Sequence, residues 1–127
     1  MKNLLLYLFF FLIASLFVGC IKTSNIPVEG RYKARFEKEA LCYNYTFTVI
    51  EGDIVPSLVE ATWTNPQTNV TYTKAFGLGN PCDFPKNLKE GDEFYFGLIR
   101  PEDAKQCAVC DAYYPNPAKK LFIKIIP

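Results

Sequence analysis

From residue 31 onward, apolar and polar side chains alternate in short segments, which is the pattern of β-strands that are buried on one face. Residues 31–36 place an Ala and two aromatic side chains on one face and three basic side chains on the other. Residues 41–49 alternate in the same way, so Leu41 is expected to face the core and Cys42 the opposite side. These two segments predict the first two strands of the domain.

Four further segments have the β-branched and aromatic composition of strands. They are residues 57–64, 70–76, 93–100 and 121–126. Residues 65–69 predict the turn between the third and fourth strands, and the glycines and prolines of residues 77–85 predict turn geometry before the fifth strand. Pro101 followed by Glu102 and Asp103 is a typical helix start, so residues 102–108 are expected to form one or two helical turns.

Six short strands with at most one short helix predict an all-β domain. The architecture is either a small antiparallel barrel, similar to an OB-fold, or a β-sandwich. Alternation with a period of two does not separate these architectures, because it shows only which side chains share a face. We favour the barrel, with residues 101–112 as a helical cap.

The N-terminus has the pattern of a secretory signal. Lys2 precedes an apolar run over residues 4–18, which is shorter than the roughly 20 residues that a membrane span requires. Gly19-Cys20 follows this run. The predicted organisation is therefore a signal over residues 1–19, a tether over residues 20–30 and a single β-rich domain over residues 31–127.

Gly19 and Cys20 resemble the lipobox of bacterial lipoproteins, although Phe17 stands where Leu is usual and Val18 where Ala or Ser is commoner. The match covers only the first 20 residues. A lipobox of this kind followed by a compact, Cys-containing domain is similar to many small lipoproteins of the Bacteroidota. The resemblance implies cleavage before Cys20 and attachment of diacylglycerol and an amide-linked acyl chain, such as palmitate, to that residue. It implies a protein anchored by lipid to a membrane of the bacterial cell envelope, facing the periplasm or the exterior. Ordinary cleavage and an uncut anchor are the alternatives.

The charge of the predicted mature chain is balanced. The sequence has 14 Lys and Arg against 13 Asp and Glu, and one of the basic residues is Lys2 in the signal. No basic run or stripe occurs, which argues against nucleic acid as a partner and against polybasic attraction to anionic lipid.

Four cysteines remain when Cys20 is assigned to lipid: Cys42, Cys82, Cys107 and Cys110. An even number of cysteines in a small exported domain predicts two disulfides. Three pairings are possible, and we favour those that join Cys107 and Cys110 to the two distant cysteines, because long loops restrict the unfolded chain more. The alternative is a redox-active pair formed by Cys107 and Cys110.

The sequence offers no recognisable catalytic, cofactor-binding or metal-binding residues. It contains no His, which removes Ser-His and Cys-His nucleophilic machinery and mixed Cys/His zinc sites, and Asp111 stands where covalent haem attachment requires His. Asp92 with Glu93 and Glu102 with Asp103 are adjacent carboxylates, but neighbours on a strand face opposite ways and acids at a helix start have a capping role. No enzyme activity and no cofactor are therefore predicted.

Three functions fit these observations. The first is a non-enzymatic binding or interaction module that uses Tyr113 and Tyr114 beside Pro115 and Pro117 as a recognition loop, because aromatic side chains between prolines are stiff and amphipathic. The partner would be a protein or a small molecule. The second is a structural or accessory subunit of an envelope complex, and the third is a thiol-disulfide oxidoreductase. The alternative role of the two tyrosines is to fill the core beneath the loop, so their exposure distinguishes the first function from the second.

The lipobox predicts that Cys20→Ala accumulates as uncut precursor, whereas the wild-type protein begins at an acylated Cys20. Intact-mass measurement of both proteins checks this, with Ser24→Ala in the tether as a control that is expected to be processed normally. An unmodified Cys20 at the N-terminus of the wild-type protein would contradict the prediction.

Overall fold

The computed structural model describes residues 30–127, and within them the chain forms seven β-strands and no α-helix. The strands are β1 (Tyr32–Lys38), β2 (Thr46–Glu51), β3 (Glu60–Thr64), β4 (Thr71–Leu78), β5 (Glu93–Leu98), β6 (Lys120–Leu121) and β7 (Ile123–Ile126). Single 3-10 turns lie at Leu41–Tyr43, Pro56–Leu58, Pro81–Asp83 and Pro101–Asp103. The prediction of an all-β domain is confirmed. The predicted signal and most of the predicted tether lie outside the described residues.

The strands belong to one sheet, not to the two sheets of a sandwich. Its order is β3-β4-β2-β1-β5-β7 with antiparallel neighbours, while β6 pairs in parallel with β4. This path ends at β3 and β7, so the sheet is open and the closed barrel favoured by the sequence is not formed. Residues 120–126 nevertheless pair with β4 at one end and with β5 at the other, which draws the two sides of the sheet together.

A cluster of phenylalanine side chains fills the inner face of the sheet. Phe36, Phe47, Phe76 and Phe96 come from four different strands and are each almost completely buried. The ring centroids of Phe36 and Phe47 are 4.8 Å apart, and those of Phe47 and Phe76 are 5.3 Å apart. The alternation in β1 therefore identified the core face correctly, because Tyr32, Ala34 and Phe36 are all buried. Large aromatic side chains suit a domain of this size, because each one removes much apolar surface from water.

The second predicted strand is wrong in its first residues. Leu41–Tyr43 forms a 3-10 turn, and Leu41 is 71% exposed instead of facing the core. Cys42 and Tyr43 have φ values of 55° and 58°, in the left-handed region that non-glycine residues rarely adopt. A disulfide joins Cys42 to Cys110, so the chain here is held by a distant segment and does not continue the strand.

The predicted helix over residues 102–108 is also wrong. Only Pro101–Asp103 forms a turn, and residues 104–119 have no regular structure before β6 begins. In this segment the backbone N–H of Lys105 donates to Asp83 Oδ2 at 3.0 Å. Cys107 and Cys110 are bonded to two different distant cysteines, a restraint that a local helix start signal does not include.

Two glycines and one asparagine join β4 to the C-terminal segment. The N–H groups of Gly77 and Gly79 donate to Lys119 O and Leu121 O, each at 2.8 Å. A Cβ at Gly79 would lie 2.9 Å from the backbone oxygen of Leu121, so the absence of a side chain permits this approach, a role beyond the turn geometry expected from the sequence. Asn80 continues the series, because its side-chain amide donates to Ile123 O at 2.7 Å and accepts from Ile123 N at 2.8 Å.

The Asn80 amide thus takes the place of a backbone peptide, and it is only 2% exposed. Asn80→Ala leaves the N–H and C=O of Ile123 without these partners, and we expect the free energy of unfolding to fall by about 2–4 kcal/mol. Asn80→Asp should not restore stability, because it replaces the donor with a buried charge. Chemical denaturation checks this, with the exposed Asn87→Ala as the control; similar values for Asn80→Ala and Asn87→Ala would contradict the assigned role.

Candidate functional site

The four cysteines form two long-range disulfides. Cys42 is bonded to Cys110 with Cα atoms 5.1 Å apart, and Cys82 is bonded to Cys107 with Cα atoms 5.8 Å apart. The predicted pair of disulfides is confirmed, and the pairing is one of the long-range alternatives. Cys107 and Cys110 therefore bond to distant cysteines and not to each other.

Asn44 connects the first disulfide to the predicted recognition loop. Its Nδ2 donates to Leu41 O at 2.7 Å and to Ala112 O at 2.8 Å, while its Oδ1 accepts from Asn116 Nδ2 at 3.1 Å. The N–H of Ala112 points to Cys42 Sγ at 3.3 Å. One short polar side chain and one disulfide thus fix both ends of the loop over residues 111–117.

The two candidate tyrosines have different environments on this loop. Tyr114 is half-buried, and its hydroxyl accepts from Asn65 Nδ2 at 3.3 Å. Tyr113 is 83% exposed, whereas Pro115 and Pro117 are buried against the domain. Tyr114 and the prolines therefore anchor the loop, and Tyr113 is the side chain available to a partner.

Two exposed apolar side chains that the sequence did not single out lie beside the same disulfide. Leu41 directly precedes Cys42, and Val109, which is 45% exposed, directly precedes Cys110. Asn44 also joins the backbone of Leu41 to that of Ala112, the residue before Tyr113. We call Leu41, Val109 and Tyr113 the disulfide patch. Val109 is the larger of the two apolar residues between Cys107 and Cys110, and this position could have identified it from the sequence. The alternation of residues 41–49 instead assigned Leu41 to the core.

The second disulfide has a structural environment. Asp83 follows Cys82 directly, accepts from the N–H of Lys105 and from Asn80 Nδ2, and is thereby tied to the junction of β4 with the C-terminal segment. The hydrogen bond from Lys105 is the main reason that the pKa of Asp83 lies below its ordinary value. The Cys82–Cys107 disulfide therefore holds the start of the irregular segment against the domain.

The adjacent carboxylates considered from the sequence have local partners. Glu93 pairs with Arg35 at 2.7 Å and with Lys33 at 2.9 Å, and the hydrogen bond from Arg35 is the main cause that lowers its pKa. Asp92 accepts from the N–H of Lys89 at 2.8 Å. Asp103 accepts from Arg100 Nε at 2.9 Å. Glu102 Oε1 lies 3.6 Å from the same Nε, so Arg100 is shared by both carboxylates. These groups stabilise turns and strand faces.

Across residues 30–127, no group of three or more Cys, Asp or Glu side chains could hold a metal ion. The same part of the chain has no helix that is long and apolar enough to cross a membrane. Cys20, the predicted lipid-attachment residue, lies outside the described residues. The disulfide patch is thus the candidate site, because its apolar side chains are exposed and the backbone that carries them is held by the Cys42–Cys110 disulfide and by Asn44.

The pairing predicts that alkylation without reductant labels none of the four cysteines of the mature domain. Replacing Cys42 and Cys110 together with Ala should lower the free energy of unfolding by about 4 kcal/mol, because the loop they close is long. Peptide mapping under non-reducing conditions and denaturation check these expectations. A peptide in which Cys107 and Cys110 are joined would contradict them.

The comparisons with known proteins add no relative. No protein-family model matches the chain, and neither the curated proteins nor the solved structures contain a match. The function of this protein must therefore be inferred from its own residues and geometry.

Proposed function

We propose that this protein is an exported, lipid-anchored module without enzymatic activity, which binds a partner at the cell envelope through the disulfide patch. The observation that carries the proposal is Tyr113, whose side chain is 83% exposed on a loop held by a disulfide and by Asn44. A side chain presented on a fixed backbone loses little conformational entropy on binding. Tyrosine is also among the residues that contribute most to binding at protein interfaces.

The proposed location is supported by two independent features. Gly19-Cys20 ends a signal-like run, and lipid on Cys20 would hold the domain at a membrane through the short tether. The two disulfides are typical of an exported protein, because thiols stay reduced in most cytosolic compartments.

The alternatives lack a supporting observation of this kind. An accessory subunit without its own recognition group would have no need for an exposed aromatic side chain on a fixed loop. A thiol-disulfide enzyme with a Cys-x-x-Cys site cycles through a bond between those two cysteines. In this structure Cys107 and Cys110 are instead bonded to Cys82 and Cys42.

Site-specific photo-crosslinking in intact cells tests the proposal. A benzophenone amino acid at position 113 should yield a discrete protein adduct, because this side chain would lie inside the interface. The matched control is position 55, where Val55 is 41% exposed beyond the opposite end of β2 from the patch. Absence of an adduct at position 113, or the same adducts at both positions, would overturn the proposed site.

A further inference from the structure

Two exposed carboxylates border the disulfide patch. Glu39 lies two residues before Leu41, and Asp111 directly follows Cys110. Neither forms an ion pair within residues 30–127. Six other acidic residues in that range pair with a basic side chain, namely Glu51, Asp83, Glu90, Glu93, Glu102 and Asp103. Glu37, Asp53, Glu60 and Asp92 form no ion pair either, but they do not adjoin the patch along the chain. The patch therefore has an uncompensated negative border.

Glu39 is held close to the domain. Its backbone N–H donates to Glu90 Oε2 at 3.0 Å. Burial, and then the nearby negative charge of Glu39, raise the pKa of the Tyr45 hydroxyl. The backbone that carries Glu39 is thus fixed before any partner arrives.

The basic side chains near this region are directed elsewhere. Lys38 pairs with Glu90 at 3.2 Å, and Lys105 lies 3.9 Å from Asp83 next to the other disulfide. Lys120 donates to Asn116 Oδ1 at 2.8 Å, on the side of the loop that faces β4. None of these cations is paired with Glu39 or Asp111, so the charge of the two carboxylates is available to a partner.

We infer that the partner of the disulfide patch is a protein segment in which an apolar side chain is flanked by lysine or arginine. This inference rests on the proposed function and names its partner by chemistry. The apolar side chain packs against Leu41, Val109 and Tyr113, and the flanking cations pair with Glu39 and Asp111. Charges at the rim of an interface act mainly through the association rate and the choice of partner, and their effect weakens with salt.

Two other occupants are disfavoured by the same charges. A two-fold symmetric pair of copies joined through this patch would bring Glu39 and Asp111 of each copy close to those of the other, and like charges across an interface oppose association. A membrane surface carries anionic lipid, which would repel the acidic border. A cationic, apolar protein segment satisfies both parts of the surface.

The test uses the acylated, full-length mature protein in nanodiscs of zwitterionic phosphatidylcholine, with empty nanodiscs as the blank. The probes are two short fluorescent peptides, one alternating Lys with Leu and one alternating Glu with Leu. The Lys-Leu peptide should bind the wild-type protein in preference to the Glu-Leu peptide, and its affinity should fall as salt is raised. Fluorescence anisotropy measures both.

A charge reversal at the border separates local from overall charge. The double variant Glu39→Lys, Asp111→Lys should have an affinity for the Lys-Leu peptide that is lower by about tenfold or more. Two ion pairs at the rim of the interface are lost and repulsion is gained. The control variant Asp53→Lys, Glu102→Lys has the same change in net charge, at exposed acidic residues outside the patch. Its affinity for the Lys-Leu peptide should stay within about twofold of that of the wild type. The Glu-Leu peptide should bind the first variant more tightly than the wild type. Equal thermal midpoints establish that both variants are folded.

Equal weakening in the two charge variants, or tighter binding of the Glu-Leu peptide to the wild type, would overturn the inferred partner. The crosslink at position 113 distinguishes this outcome from failure of the site itself. If the adduct persists in the Glu39→Lys, Asp111→Lys protein, the proposed recognition site is supported and the inferred positive charge of its partner is wrong. No adduct at position 113 in the wild type would overturn the proposed function.

Discussion

The hydrogen bonds between β4 and the C-terminal segment are the constraint on which the rest of the domain depends. Backbone bonds from Gly77 and Gly79, followed by the amide of Asn80, hold residues 119–123 along β4 while β7 pairs with β5. A segment that pairs on both sides draws the open sheet around its phenylalanine core. The buried amide works here because it has a donor and an acceptor in the same arrangement as a peptide group.

The same junction determines the course of the irregular segment that carries the candidate site. Asp83 contacts Asn80 and Lys105, so the first part of that segment is tied to the end of β4 next to the Cys82–Cys107 disulfide. The last part enters β6 through Lys119, whose C=O accepts from Gly77. Between these two points the Cys42–Cys110 disulfide and Asn44 hold the loop. The loop is therefore fixed although it contains neither helix nor strand.

The contrast between the two charged regions of the surface supports the proposed site. On the outer face of β1 and β5, Lys33, Arg35 and Glu93 neutralise one another, which is typical of a solvated strand face. Around the disulfide patch, by contrast, Glu39 and Asp111 border exposed apolar side chains without cationic partners among residues 30–127. Apolar groups surrounded by a polar rim are a common arrangement at protein interfaces. Because the loop is already ordered, little backbone conformational entropy is lost when a partner binds there.

The sequence by itself determined the class of the fold and the buried face of β1, because alternation with a period of two is a local property of a strand. It also indicated two disulfides, and it nominated Tyr113 and Tyr114 without deciding whether they are exposed. The 3-10 turn at Leu41–Tyr43 and the absence of a helix over residues 102–108 were decided by the tertiary structure, since both follow from bonds to distant cysteines. The role of Asn80 and the grouping of Leu41, Val109 and Tyr113 were decided in the same way. Residues up to about 70 positions apart along the chain meet there, and no local pattern encodes such a meeting.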